Sequence, residues 1–348
     1  ATCWLCEDWT MRAMRLLRPG AVETGPLEMV ESSDLSPGPG ELTIRTGACA
    51  VCRTDLQIVE GDLKAQRLPI VPGHQIVGTV ATIGAGVDGW AIGDRVGVGW
   101  MAGTCGECRF CLSNRENLCR YARHTGWSRD GGFAELVNVR ADFALPIITD
   151  RADEEIAPLL CGGVIGYRSL KVSGIEPGGR LGLFGFGASA SLAIQVAVHW
   201  GCEVYVLTRS QSERERALQM GAVWAGAHGD PTPEPLDAAV TFAPVGSVVV
   251  EAVRALDRGA VVAINAIHLD VVPAFDYDDL WLERQIRSVA NFTRADASEF
   301  LALAAKIPIH ATTAGYALTE ANSALADLKQ WAVSGAAVLR VRLPSGCG

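Results

Sequence analysis

Short apolar runs rich in β-branched residues, broken by glycine and proline, dominate the chain from Met11 to about Asp150; ELTIRTGACAV, QIVGTVATIG and DRVGVGW are typical. Runs of this length between turn formers read as strands of a β-rich domain with long loops. A helical stretch over Ala157 to Val172 leads to the PGG at 177 to 179, and there the rhythm changes. Arg180 to Phe184 reads as a buried strand, Ser189 to His199 as a helix, Glu203 to Leu207 as a strand, and Glu213 to Met220 as a helix ended by Gly221. Further strands are expected at Ala238 to Phe242, Ala260 to Asn265 and Arg287 to Ala290. This alternation predicts a doubly wound parallel sheet and an α/β fold class. A helix near Thr319 to Gln330 and a last strand near Ala337 to Arg342 are expected to return to the first domain. The resulting division is a β-rich domain over 11–155 and 308–348 and a nucleotide-binding domain over 156–307. Residues 1–10 break the pattern and read as an extension, in which Cys3 and Cys6 form a lone C-x-x-C with no partner pair nearby.

Composition narrows the class of partner. The chain has 348 residues, enough for two domains and a large core, and a net charge of -9. That charge argues against nucleic acid or an anionic membrane surface as the main partner, so a small molecule is expected. No apolar run approaches a bilayer span, and the start lacks a basic segment followed by an apolar stretch, so the expected location is cytoplasmic. Eleven cysteines are many for a reducing compartment unless metal or catalysis uses them.

Four of them, Cys105, Cys108, Cys111 and Cys119, lie in a glycine- and charge-rich loop with two, two and seven residues between them. Closely spaced thiolates can converge on one tetrahedral ion, and an all-sulfur site leaves no position for substrate, which suits structural zinc. Two disulfides, four buried thiols or an iron–sulfur cluster are the alternatives for the same spacing.

The strand RLGLF runs into Gly185, Gly187 and Ala190 and then into a helix, giving G-x-G-x-x-A in the strand-turn-helix context that a dinucleotide site needs. The next strand ends in Thr208, Arg209 and Ser210, where an NAD site usually has an acid for the ribose hydroxyls. Hydroxyls and a guanidinium can bind a 2′-phosphate that a carboxylate would repel, so NADP(H) is expected ahead of NAD(H).

Cys52, His74 and Cys161 would each pass singly as core residues. Together with ACAVCRTD at 48 to 55, VPGHQIVG at 71 to 78, the four-cysteine loop, DGGFAEL at 130 to 136, APLLCGG at 157 to 163 and GFGASA at 185 to 190, they form a pattern. In that pattern the sequence resembles the zinc-dependent alcohol dehydrogenases of the medium-chain dehydrogenase/reductase superfamily, from Met11 onward. The resemblance implies a GroES-like catalytic domain joined to a Rossmann domain. It also implies catalytic zinc ligands at Cys52, His74 and Cys161, with Asp55 orienting His74 and Thr54 relaying the alcohol proton. Arg53, and Arg340 near the end of the last strand, would meet cofactor phosphate. Trp100 and Trp127 are expected to wall the substrate pocket, and His268 carries no assigned chemistry. Relatives of this kind form dimers and tetramers, so a homo-oligomer is expected.

Two positions depart from the family. Gln75 stands where a glutamate often follows the ligand histidine, removing a negative charge near the metal. Gln57 stands where many relatives carry a histidine, and an amide cannot titrate near neutral pH, so the proton relay would end in ribose hydroxyl and water. The expected activity is interconversion of alcohols with aldehydes or ketones. A zinc-free quinone or enoyl reductase and a non-catalytic nucleotide-binding protein are the alternatives.

Overall fold

The structure is a computed structural model that describes residues 11–32 and 35–341; the expected extension with Cys3 and Cys6, and Arg342 of the expected last strand, lie outside them. The chain divides into two compact units, one formed by the residues up to Cys161 together with those from Thr312 on, the other by Gly162–Ala311. The sequence reading had set these boundaries at 155/156 and 307/308.

The first unit is built around the strand Glu41–Ala50, which pairs antiparallel with Ile76–Ile83, Leu136–Arg140 and Ala336–Arg340. Its residues are buried on both sides, which explains why it reads as a nearly continuous apolar run and not as an alternation. Register then fixes where the chemistry emerges. Cys49 lies opposite Ile76, so Cys52, just past the end of one strand, and His74, just before the start of the other, leave the sheet at the same end.

Helix Arg53–Glu60 begins directly after Cys52, where the Asp55 carboxylate accepts the otherwise free Cys52 N–H at 2.8 Å. Gly61, at φ +91°, ends it. The expected helix over 157–172 is interrupted. A 3-10 turn, Ala157–Leu160, with Pro158 in its first turn, is followed by Cys161 in a non-helical conformation, and a regular helix runs only from Gly162 to Ser173. That break turns the thiol of Cys161 out of the helical path.

The second unit carries a six-stranded, all-parallel sheet in the order Trp224–Gly226, Glu203–Leu207, Arg180–Phe184, Leu236–Thr241, Leu256–Ile264, Gln285–Ser288. The chain starts in the middle, builds outward to one edge and then returns to build the other, which is the doubly wound Rossmann topology. Buried Phe184, Leu207, Leu236, Val253 and Val262 pack one side of it. Trp224–Gly226 is absent from the sequence reading, being three residues long and too short to show any periodicity. No helix among the described residues is long and apolar enough to cross a membrane.

Candidate metal centres and dinucleotide site

Within the first unit, two clusters of metal-ligating atoms form. In the loop cluster, Cys105, Cys108, Cys111 and Cys119 bring their sulfurs within 4.8 Å of one another. Two 3-10 turns, Cys111–Ser113 and Glu116–Leu118, with Asn114 left-handed between them, fold the loop back on itself. The Cys105–Cys111, Cys108–Cys111 and Cys119–Cys105 sulfurs stand 3.8, 3.6 and 3.5 Å apart. A zinc ion bonded to four sulfurs at about 2.3 Å sets neighbouring sulfurs about 3.8 Å apart, whereas a disulfide needs about 2.05 Å. The donor set therefore fits a closed tetrahedral ion, and the four thiols are unbridged. Backbone N–H donation from Cys111 lowers the Cys108 thiol to about 7, and burial lifts Cys119 to about 11.

The second cluster unites Cys52, His74 and Cys161, again within 4.8 Å, from three distant parts of the sequence. His74 is buried and its ring is fixed by Asp55, whose Oδ1 lies 3.0 Å from His74 Nδ1 and accepts the Gly73 N–H at 3.1 Å. With Nδ1–H held by the carboxylate, Nε2 is the ring nitrogen left to bind a metal. Burial opposes a charge on His74, but the charge and hydrogen bond of Asp55, with help from Cys52, raise it to about 10. The two thiols share a hydrogen bond that draws Cys52 well below the ordinary thiol range and, with burial, pushes Cys161 up. One imidazole and two sulfurs could supply three ligands of a tetrahedral site and would leave the fourth open.

Gly73 makes this geometry possible. It sits at φ +96°, and a Cβ there would come within 2.5 Å of Phe133 and 2.9 Å of Cys49 Sγ. Thr54 is buried with Oγ1 3.8 Å from Cys52 Sγ. Gln75 is buried and donates from Nε2 to the Ala50 carbonyl at 3.3 Å, a bond that a glutamate could not make.

Trp100, 7% exposed, stands edge-on to His74 with ring centres 5.0 Å apart and stacks on Trp127 at 5.8 Å. The Trp127 indole N–H is already donated to the Lys64 carbonyl. His124 completes the aromatic group, 5.0 Å from Trp100 and 5.3 Å from Trp127. Burial and the neighbouring His74 depress it to about 4, so it is neutral. The sequence reading missed His124 because only the fold brings it beside the indoles.

In the second unit, Arg180–Phe184 turns at Gly185, φ +90°, where a Cβ would stand 3.0 Å from the Ala243 amide nitrogen. Gly187 begins helix Ala188–His199, and a Cβ there would meet nothing within 4 Å, leaving the backbone open to an approaching ligand. Ala190 is fully buried. Beyond the next strand, Thr208 Oγ1 donates to Glu213 at 2.6 Å, and Ser210 Oγ caps the following helix through the Glu213 N–H at 3.4 Å. Both hydroxyls expected at the ribose are thus engaged, while Arg209 is exposed. A further guanidinium went unnoticed in the sequence: Arg216 donates to the Phe186 carbonyl inside the glycine turn at 3.1 Å and lies 5.2 Å from the Phe186 ring.

Arg340 does not join Cys52. Val51 N–H donates to the Ala337 carbonyl, so the strand Ala336–Arg340 meets the Cys52 side with its first residues, and Arg340, opposite Ala48, lies at the other end. There its Nε pairs with Glu154 at 3.2 Å. His268 is exposed.

Comparison with known proteins bears on these groupings. Residues 38–149 match the alcohol dehydrogenase GroES-like domain. Over 338 residues, 95% of this chain and 98% of the other, the sequence is 48% identical to a probable alcohol dehydrogenase, AdhA, of Mycobacterium tuberculosis. A cinnamyl alcohol dehydrogenase of Sorghum bicolor superposes with a TM-score of 0.86 at 25% identity, covering 95% of this chain and 98% of its own. A cobalt- and zinc-bound thermostable alcohol dehydrogenase of Pyrobaculum aerophilum superposes with a TM-score of 0.85 at 28% identity, covering 96% and 100%.

Proposed function

The chain belongs to the zinc-dependent alcohol dehydrogenases of the medium-chain dehydrogenase/reductase superfamily, and from that premise we propose which residues carry its reaction and which cofactor it takes. It is an oxidoreductase that interconverts alcohols with aldehydes or ketones. The observation that carries the assignment of its active site is the convergence of half-buried Cys52 and Cys161 with buried His74, and Asp55 behind the imidazole.

Those three residues hold the catalytic ion, and Cys105, Cys108, Cys111 and Cys119 hold a structural one. Zinc held there would supply Lewis-acid polarisation of a substrate oxygen, and a nicotinamide would supply the hydride acceptor or donor. Asp55 keeps the proton on His74 Nδ1 and thereby keeps Nε2 directed at the ion. Thr54 Oγ1 accepts the proton of the substrate hydroxyl in oxidation and returns it in reduction. Gln57 cannot carry that proton further, so with the cofactor bound the relay would end in its ribose hydroxyl and water. Trp100 lines the substrate pocket beside the metal and favours an alcohol or aldehyde with a flat apolar group.

Gly185, Gly187 and Ala190 cradle the pyrophosphate. For the cofactor we infer NADP(H). Arg209 is exposed at the end of Glu203–Leu207, and Arg214 donates back to the Thr208 and Arg209 carbonyls close by. Arg209 and Arg216 then supply charge for a 2′-phosphate, a role the engaged Thr208 and Ser210 hydroxyls fill less well.

A second copy of the chain is the expected partner. The edge strand Gln285–Ser288 is exposed, and Tyr277, Trp281 and Leu282 beside it are exposed large hydrophobics. Seven metal-ligating side chains, six of them thiols that must stay reduced, fit the cytoplasm.

The decisive assay follows NADPH and NADH oxidation over aromatic and aliphatic aldehydes, before and after removal of zinc. Zinc-dependent turnover that prefers NADPH, with the preference reduced in Arg209→Ala, is the expected result. Turnover surviving complete zinc removal would instead indicate zinc-free reductase chemistry.

A further inference from the structure

Within the second unit, the glycine turn is held by a side chain from the helix after next. Helix Gln211–Gln219 carries half-buried Arg216 back across the turn, where Nη2 donates to the Phe186 carbonyl at 3.1 Å and the guanidinium lies 5.2 Å from the Phe186 ring. Phe186 is 1% exposed, and among the described residues Arg216 is the donor its carbonyl has. Arg216 gains little from the arrangement for itself. Its Nε is buried without an acceptor, and among the described residues no carboxylate pairs with it. A buried donor left unpaired is costly, so the contact is better explained by what it does to the turn.

A peptide is planar and trans, so the Phe186 carbonyl and the Gly187 N–H point in opposite directions. With the oxygen drawn toward Arg216, the Gly187 N–H faces away from it. That N–H has no acceptor among the described residues, and a Cβ on Gly187 would meet nothing within 4 Å. Gly187, lacking a Cβ, offers little resistance to this peptide turning over. A reversed peptide would aim a carbonyl oxygen to the side where the free N–H groups of helix Ala188–His199, which has no side-chain cap, gather for an anion.

We propose that Arg216 is a positioning residue that locks the Phe186–Gly187 peptide with its N–H toward the pyrophosphate, and so supports any adenine dinucleotide, with or without a 2′-phosphate. This rests on the reading of Gly185, Gly187 and Ala190 as the pyrophosphate cradle. The test is calorimetric binding of 5′-ADP, adenosine and NADPH to the zinc-loaded full chain. Arg216→Met, which keeps an apolar stem and removes the donor, is expected to weaken 5′-ADP roughly ten- to a hundredfold, the worth of one hydrogen bond to a charged group. Adenosine, which carries no phosphate, should change less than about twofold in the same variant. Arg216→Lys, which keeps a donor and the charge, is expected to recover most of the 5′-ADP affinity.

An unchanged 5′-ADP affinity in Arg216→Met overturns the inference; if NADPH is weakened in that variant, Arg216 acts on the 2′-phosphate alone. Adenosine weakened as much as 5′-ADP overturns it too, because the loss then lies in the shape of the pocket and not in a phosphate contact. An unaltered chain that binds neither 5′-ADP nor NADPH removes the pyrophosphate reading and the inference with it.

Discussion

The two candidate metal centres of the first unit are built on opposite principles. The four-cysteine loop gathers its ligands within fifteen residues, from 105 to 119, with three of the four thiols only partly buried. Arg109 and Arg115 flank Phe110 at 4.6 and 5.4 Å, placing positive charge on the loop that carries the four cysteines. The Cys52–His74–Cys161 cluster draws on residues more than a hundred positions apart, and burial, a carboxylate and a tight turn hold it. A closed local site needs only its own loop. An open site must be held by the fold, because with one position kept for substrate the remaining three ligands cannot rely on the ion to arrange them.

Activity and stability are therefore expected to separate between the centres. The largest effect is expected at the open site. Cys161→Ala or His74→Ala should lower kcat/KM by at least about a thousandfold, the worth of several kcal/mol of Lewis-acid stabilisation. The melting temperature should change far less; a collapse of the fold in both variants would break the comparison. Next, Asp55→Asn should weaken zinc binding at this site by roughly ten- to a hundredfold, read by metal-buffer titration, with the loop ion retained.

In the loop the order reverses. Cys111→Ser should halve the zinc content and cost on the order of 2–5 kcal/mol, as losing a cross-link of similar span does. That corresponds to a fall in melting temperature of roughly 10 °C. Turnover per folded molecule should stay within a few fold, and a loss as deep as that of His74→Ala would show that the loop is part of the chemistry.

The smallest effect concerns His124, which sharpens the account of the buried side. Its folded value near 4 lies below the unfolded one of about 6.5, so the folded state binds fewer protons between them. Stability is therefore full above about pH 6.5 and falls as pH drops toward 4, by at most about 3 kcal/mol. His124→Phe should flatten that part of a denaturation profile; an unchanged slope would place the acid sensitivity elsewhere.

Legibility in the sequence followed the same division between local and distant. The strands Arg180–Phe184 and Glu203–Leu207 carry the bounds read from the chain, because each is an apolar run closed by turn residues. The loop cysteines converge as their spacing implies. What escaped was tertiary. Arg216 reaches the glycine turn only by folding back from the next helix, and His124 meets Trp100 only through the sheet. Arg340 was expected, like Arg53, to meet cofactor phosphate; that it stands at the end of its strand away from Cys52 could not be told from residue order. Cys161 looked helical because its neighbours favour helix, and the break after Pro158 is what releases its thiol.

The spacing of the ligands also sets a timetable. All four loop cysteines have been synthesised once Cys119 is made, and Cys161 follows 42 residues later. At about 5–20 residues per second the loop has roughly 2–8 s in which it can capture an ion before the other site possesses its third ligand. A growing chain short of zinc would thus fill its structural centre first, and the enzyme would emerge folded and stable before it is able to turn over.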